Sequence, residues 1–327
     1  MAASVKGISA KLLKFGIAGG LIYWMVQKGL LDFSLLGQLL TPVHMTVCIG
    51  LIFGNIALNN YRWSLLLGSQ GLPSQFRITF PLTLIGMFFN FAIPGAVGGD
   101  LVKGFYVTQN HPGKRMAAAT TVLMDRLLGL YAMVLMAVVT ILLSISFVLT
   151  RPSLLQVAIM SFAGLVVMTI VAAFMFSSRV KAKNPLLKWA PKFPGGGLFV
   201  KLYDAIHSYG DCKSALMKGL VASLLAQAMA VFNMAYVGWA LGEHISLSTY
   251  FFAVPLGFII MAIPIAPAGI GVGQIAFLVL FKMFTGTETT LGQTVITAFQ
   301  IGLLAWGIVG AIFYAQRKKP VVTEVST

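Results

Sequence analysis

Six stretches of the chain are apolar over, or nearly over, the ~20 residues that a bilayer-crossing helix requires. They run from about 12 to 31, 43 to 61, 116 to 148, 153 to 176, 214 to 241 and 291 to 315. Two more, 78 to 107 and 249 to 284, are just as apolar but are interrupted by proline and glycine, and the leg after the first interruption is too short to cross alone. The pattern predicts an all-α polytopic membrane protein, with about six full spans and two re-entrant or broken helical hairpins in one transmembrane domain, 1–327. Between the apolar stretches the polar residues are sorted by charge. The 177–213 loop carries Arg179, Lys181, Lys183, Lys188, Lys192 and Lys201 against Asp204 and Asp211, and Arg317, Lys318 and Lys319 follow the last span. The connections holding Asp32, and Glu243 with His244, are poor in lysine and arginine. Lysine and arginine accumulate on the cytoplasmic side, so both termini are expected there. The first hairpin, flanked by Arg62, Arg77, Lys114 and Arg115, then opens to the cytoplasm, and the second, flanked by Glu243 and Glu288, opens outward. Two broken hairpins of opposite orientation that share the triplet "AIP" (Ala92–Pro94 and Ala262–Pro264) predict an inverted repeat.

Composition agrees with this class and removes others. Hydrophobic residues make up 58% and charged residues 9%, far below the quarter or so typical of soluble domains. The formal charge of +15 is spread between apolar segments, which fits a cytoplasmic rim and gives no expectation of a nucleic-acid partner. Lys6, Lys11 and Lys14 precede "FGIAGGLIYWMV" without a small-residue cleavage motif, so a retained first span is expected in place of a removed signal. Cys48 and Cys212 form neither a disulfide framework nor a metal motif. The four histidines are scattered, and no serine or cysteine nucleophile has a recognisable base. "GIGVG" at 269–273 lacks the strand and the acidic ribose partner of a dinucleotide loop. No enzyme activity, cofactor or metal is expected. The basic loop mixes its lysines with Trp189, Phe193, Phe199 and Tyr203, a pattern that suits either an anionic inner leaflet or a simple tether.

The charged residues that remain lie inside apolar segments. Breaking a helix in the bilayer frees backbone N–H and C=O groups, each costing several kcal/mol unless protein, water or substrate satisfies it, so such breaks line cavities. In "AIPGAVGGDLVKGF" (Ala92–Phe105) a helix beginning near Gly98 or Gly99 would point free N–H groups into the break, with Asp100 and Lys103 a turn apart. Asp125 and Arg126 follow about 15 Å of helix rise beyond the basic end of their span. Ionisable groups at that depth are paired or face a polar cavity, and Arg126 with Asp100, or Asp125 with Lys103, would close a network. The candidate substrate-binding set is Gly98, Gly99, Lys103, Arg126, Asn90 and Gln274, with Asp100 and Asp125 as charge partners. Arg62, after Asn59 and Asn60, is read as a cytoplasmic entrance residue snorkelling to the headgroups. Gln227 and Asn233 are weaker candidates for the cavity wall. Two plainer readings stay open: a buried ion network that only fixes helix register, and glycines that only permit close packing.

The stretches "FFNFAIPGAVGGDLVKGFYV", "AAATTVLMDRLLGLYAM" and "PIAPAGIGVGQIAFLVLF" resemble the flippase-like family of the lysylphosphatidylglycerol synthase transmembrane region, also called UPF0104. The resemblance runs through nearly the whole chain and implies a polytopic protein with re-entrant helices that binds or flips lipids, without the soluble aminoacyl-transferase domain of the bifunctional synthases. The chain departs from the family at two positions: Lys103 stands where arginine is common after GGD, and Gln274 where glutamate is common in the late motif. The expected function is an inner-membrane flippase or lipid-binding transporter for a phosphate-bearing phospholipid or lipid-linked substrate, its partner a membrane lipid with an anionic headgroup. The alternatives are a noncatalytic partner that presents lipid to a separate membrane-associated glycosyl- or aminoacyl-transferase and, further off, a membrane-embedded transferase using Asp100 or Asp125.

Overall fold

The computed structural model describes residues 37–316, except 94–97, 185, 186, 188, 190, 191, 194, 195, 264 and 288, together with Gly20, Tyr23 and Gln27. The first predicted span lies almost wholly outside the described residues, as do both prolines of the repeated triplet, Asp32, Lys188, Glu288 and Arg317–Lys319. The described chain is helical throughout, with turns and loops and no strand.

Helix α1 spans Pro42–Ser69; Thr41 accepts from His44 N at 3.3 Å at its start, and Pro42 occupies the first turn, where its missing N–H costs nothing. Helix α2 spans Phe76–Ala92 and, after the break, α3 spans Gly98–Gln109. Helices α4 (Arg115–Leu143), α5 (Ile145–Leu149) and α6 (Pro152–Phe176) follow, and α7 (Ser178–Lys183) and α8 (Gly196–His207) lie in the basic loop. The remaining elements are α9 (Lys213–Ala240), α10 (Leu247–Met261), α11 (Val272–Thr285) and α12 (Leu291–Gln316).

Length separates two kinds of element. At 1.5 Å per residue α1, α4, α6, α9 and α12 reach roughly 37–44 Å, beyond the ~30 Å hydrocarbon core, whereas α2, α3, α10 and α11 reach roughly 18–26 Å and stop short of it. These five long helices correspond to five of the six predicted full spans. The sixth stretch long and apolar enough to cross is Pro267–Thr285, the 3-10 turn Pro267–Gly269 with α11. The return leg of the second hairpin is thus longer than the interruption near Pro264 suggests.

Contacts at the helix ends fix which ends lie together. Cys212 Sγ reaches Ser69 O, Lys114 Nζ reaches Gly71 O and His207 Nδ1 bonds Met175 O. The end of α1 and of α6, the start of α4 and of α9, and the basic loop therefore share one end of the bundle, which also carries Arg77, Arg115, Arg179, Lys181 and Lys201. At the opposite end His44 Nδ1 meets Tyr236 Oη at 2.9 Å, and Arg151 donates to Met283 O and Phe284 O at 3.0 and 2.8 Å, closing off the last carbonyls of α11. The first hairpin rises from the basic end, the second from the other.

Helix α1 packs along α9, α2 along α12, and α10 along α4. Small residues set the approach: a Cβ at Gly310 would overlap the Leu84 carbonyl oxygen, so α12 lies directly on α2. The largest apolar core joins Ile56 of α1, Leu84, Val231, Phe252, Phe277, Phe281 and Val295. Helix α6 turns Val167, Ile170, Val171 and Phe174 outward and is apolar all round, as a lipid-facing span should be.

Candidate functional site: a charged cavity between the two helix breaks

The two breaks face one cavity of about 370 Å³. Asn90 and Gly99 reach it from the first hairpin, Met261, Ala262 and Ala268 from the second, and α1, α4, α9 and α12 complete its walls. Each break is held locally. Asn90 Oδ1 accepts from Gly99 N at 2.8 Å, tying the end of α2 to the start of α3. A Cβ at Gly98 would lie 2.8 Å from Phe89 O, and one at Gly99 would overlap the Gly86 carbonyl, so these glycines allow the hairpin legs to touch. The second break turns on positive φ angles at Ala268, Gly269 and Gly271 (48°, 69° and 83°). There Gln274 Oε1 accepts from Gly271 N at 2.7 Å, and Gln300 Nε2 donates to Ala268 O at 3.1 Å. Groups freed by the interruption are thus taken up by side-chain amides, as a break at membrane depth demands.

Five charged side chains line the cavity: Arg62, Lys103 and Arg126 against Asp100 and Asp125. They fall into two sets. Asp125 accepts from Arg62 Nε at 2.6 Å and lies 3.4 Å from Lys103 Nζ, and all three side chains are at most 10% exposed. Arg62 also donates to Ser223 Oγ at 3.1 Å, and Lys103 Nζ sits 4.1 Å from the centre of the Trp63 ring. Arg126 and Asp100 pair at 3.0 Å but are 30% and 26% exposed. The buried set ties α1, α3, α4 and α9 together; the outer pair bridges α3 and α4 at the open part of the cavity. Both ion pairs expected from the sequence are present.

A family model described as the lysylphosphatidylglycerol synthase TM region matches residues 11–315. The chain belongs to that family. A UPF0104 membrane protein from Methanothermobacter thermautotrophicus is 24% identical over 271 residues, which cover 76% of this chain and 78% of the relative. No solved structure matches. Membership of this family, together with six apolar helical stretches, makes the chain a multi-pass membrane protein.

In this member of the lysylphosphatidylglycerol synthase TM family, four sequence expectations need correcting. Arg62 is no snorkelling entrance residue: α1 continues two turns past it to Ser69, and its guanidinium, 7% exposed, points inward to Asp125. Gln274 is not on the cavity wall. It lies one layer behind, donating to Thr297 Oγ1 and Gln300 Oε1 at 3.1 and 2.7 Å while its oxygen caps Gly271. Gln300, which the sequence reading passed over, is the member of this amide pair that lines the cavity. The Gly99 N–H, expected to point into the break, is occupied by Asn90. Asn233 also lies off the wall, donating to Cys48 O at 3.2 Å, whereas Gln227 lines the cavity as expected. A polar residue at i+7 from Gln293 and i+3 from Thr297 on one face of α12 was the signal available for Gln300.

Gln300→Leu should uncouple this second break. It removes the donor to Ala268 O and one of the two acceptors of Gln274 Nε2, which keeps Thr297 Oγ1, at a cost of about 1–3 kcal/mol. The expected result is a lower thermal midpoint in detergent together with new protease cleavage near 262–271.

Proposed function

We propose that this chain is a lipid flippase or lipid-binding transporter whose substrate carries a phosphate-bearing headgroup. The observation that carries this reading is the cavity: two interrupted helices from opposite ends of the bundle meet there, and three cations face two carboxylates beside an apolar wall of Met87, Phe91, Leu130, Met133 and Phe258. The unmatched positive charge suits an anionic headgroup, with the tails left to the bilayer. Arg126 and Lys103 would bind phosphate, the first through a planar fork and the second as a point charge. Asp100 and Asp125 would hold these cations in place.

The inverted repeat belongs to the same reading. Exchanging α1 with α9, α2 with α10, α3 with α11 and α4 with α12 maps the α2·α12 contact onto α10·α4 and leaves α1·α9 in place. Such a fold places its site at the repeat interface near the midplane, and rocking of one half against the other would open it alternately to each side. The basic end is taken as cytoplasmic, in the plasma membrane, by the distribution of lysine and arginine. In this mechanism lipid is moved or presented and no covalent bond is made or broken.

Translocation is measured with the purified chain in proteoliposomes carrying a labelled anionic phospholipid. Lys103→Ala with Arg126→Ala should slow the protein-dependent rate at least about tenfold, the equivalent of one charge-assisted hydrogen bond or more. A rate unchanged by the double substitution counts against the assignment.

A further inference from the structure

Away from the cavity, the segment joining α6 to α9 carries an apolar and cationic surface that the fold leaves uncovered. Trp189, Phe193, Leu198 and Phe199 are 61%, 64%, 62% and 49% exposed, so four large apolar side chains close in sequence find no place in the bundle. The same segment, 177–212, holds six lysines and arginines against two aspartates, an excess of four positive charges. Lys181 pairs with Asp204 at 2.8 Å, whereas Arg179, Lys192 and Lys201 are exposed. Lys192 Nζ stands 5.3 Å from the centre of the Trp189 ring, which places charge beside an aromatic face. A simple tether is made of small and polar residues. Scattered exposed hydrophobes are ordinary, but a run of them within a concentration of charge marks an interaction surface.

Helix α8 shows where that surface lies. Residues three, four and seven apart share a helix face, which divides α8 into three stripes. Gly196 and Tyr203 are buried, Tyr203 stacks on His207, and His207 bonds Met175 O at 2.8 Å, so this stripe is fixed against the end of α6. Gly197, Lys201 and Asp204 make a second stripe, exposed and polar. Leu198, Phe199 and Leu202 make the third, apolar and only partly covered. A helix that buries one stripe, wets another and keeps a third apolar meets three environments. The lipid-facing α6 ends at Phe176, and a Cβ at Gly210 would lie 3.1 Å from the Phe176 carbonyl oxygen. The segment therefore sits where that span leaves the hydrocarbon, at the level of the headgroups.

We propose that α8, with Trp189, Lys192 and Phe193, forms a docking surface for the anionic phospholipids of the leaflet at the basic end. Trp189, Phe193, Leu198 and Phe199 enter the boundary between headgroups and acyl chains, while Arg179, Lys192 and Lys201 meet the lipid phosphates. Aromatic rings with a polar edge favour that boundary, and each lysine or arginine close to an anionic surface adds to the attraction. A protein partner would also fit an apolar stripe, but the excess of positive charge and the position beside α6 favour the bilayer. The surface is separate from the charged cavity and does not depend on what the cavity carries.

Trp189 is the reporter for the test. It is one of five tryptophans, so its emission is read as the difference between wild type and Trp189→Phe, each as the full chain in nanodiscs. The discs are phosphatidylcholine alone, or phosphatidylcholine with about 30% phosphatidylglycerol, and both include phosphatidylcholine brominated on the acyl chain near the headgroup. The Trp189 signal should be quenched at least about twofold more strongly in the anionic discs, and the excess should fall away at roughly 0.5 M salt, where surface charge is screened. Lys192→Gln with Lys201→Gln should remove most of that excess, an unchanged thermal midpoint reporting an intact bundle. A Trp189 signal unquenched in both compositions overturns the inference and leaves the segment a tether or a site for a protein partner. Equal quenching in both, or an excess untouched by the double substitution, overturns the preference for anionic lipid and the inference with it. Should Trp189→Phe alter the midpoint, amide exchange across α8 decides in its place: phosphatidylglycerol should slow it in wild type and not in the double variant, and equal exchange in the two compositions overturns the inference.

Discussion

Asp125→Ala is expected to destabilise the bundle by about 3–5 kcal/mol, because it removes the one carboxylate that Arg62 and Lys103 share. Arg62 would keep its bond to Ser223, and Lys103 the face of Trp63. A Cβ at Gly129 would lie 3.0 Å from Arg62 Nη1, and a Cβ at Gly86 would lie 2.9 Å from Cγ of Lys103, so glycine at both positions makes room for these side chains. In detergent the loss should appear as a fall in thermal midpoint of roughly 10 °C or more, on the scale of a few degrees per kcal/mol for chains of this size. The triple variant Asp125→Ala, Arg62→Met, Lys103→Met removes all three charges and should recover most of that midpoint, since apolar replacements of similar volume often match or exceed a buried ion pair. If the triad only fixes helix register, the triple variant should also translocate lipid. If it forms part of an anion site, stability returns and transport does not. A midpoint unchanged in Asp125→Ala would show that water already solvates these charges.

The parts of this site legible in the sequence were those in which one residue type conflicts with its surroundings. Asp100, Lys103, Asp125 and Arg126 stand in apolar segments, and charge in hydrocarbon has to be paired. Their spacing along two neighbouring elements was enough to expect both ion pairs. Arg62 stands in a different position. The segment after Asn59 and Asn60 looks like a polar helix end, yet "RWSLLLGS" carries α1 two turns further, and it is Asp125, 63 residues away, that draws the side chain inward. The glycines of "GAVGG" were equally ambiguous. A glycine before a helix reads as an amide pointed at an anion or as room for a neighbouring backbone, and only the position of Gly86 on the other leg decides that Gly99 serves the second purpose. Gln274 was misplaced for a related reason: its partners Thr297 and Gln300 come from the next helix, and nothing in "GIGVGQ" says which side of the break that helix covers.

Gly99→Ala should show how tightly the anion site depends on that packing. The added methyl overlaps the Gly86 carbonyl oxygen and comes within 2.8 Å of Asn90 Oδ1, so α3 has to retreat from α2 and its hydrogen bond to Asn90 stretches. Overpacking of this kind costs about 1–3 kcal/mol, and backbone is a harder obstacle than the end of a side chain. Helix α3 also carries Asp100 and Lys103, so its retreat draws both charges away from Arg126 and Asp125. Gly104→Ala, five residues along the same helix, is the matched control: a Cβ there meets nothing within 4 Å, and the change should be neutral or stabilising by up to about 1 kcal/mol through helix propensity. The expected outcome is a lower midpoint and at least a tenfold loss of anionic-phospholipid binding for Gly99→Ala, against an unaltered or raised midpoint for Gly104→Ala. Equal behaviour of the two variants would mean that the hairpin legs are not held in contact in the membrane, and the cavity could not then keep its cations in register.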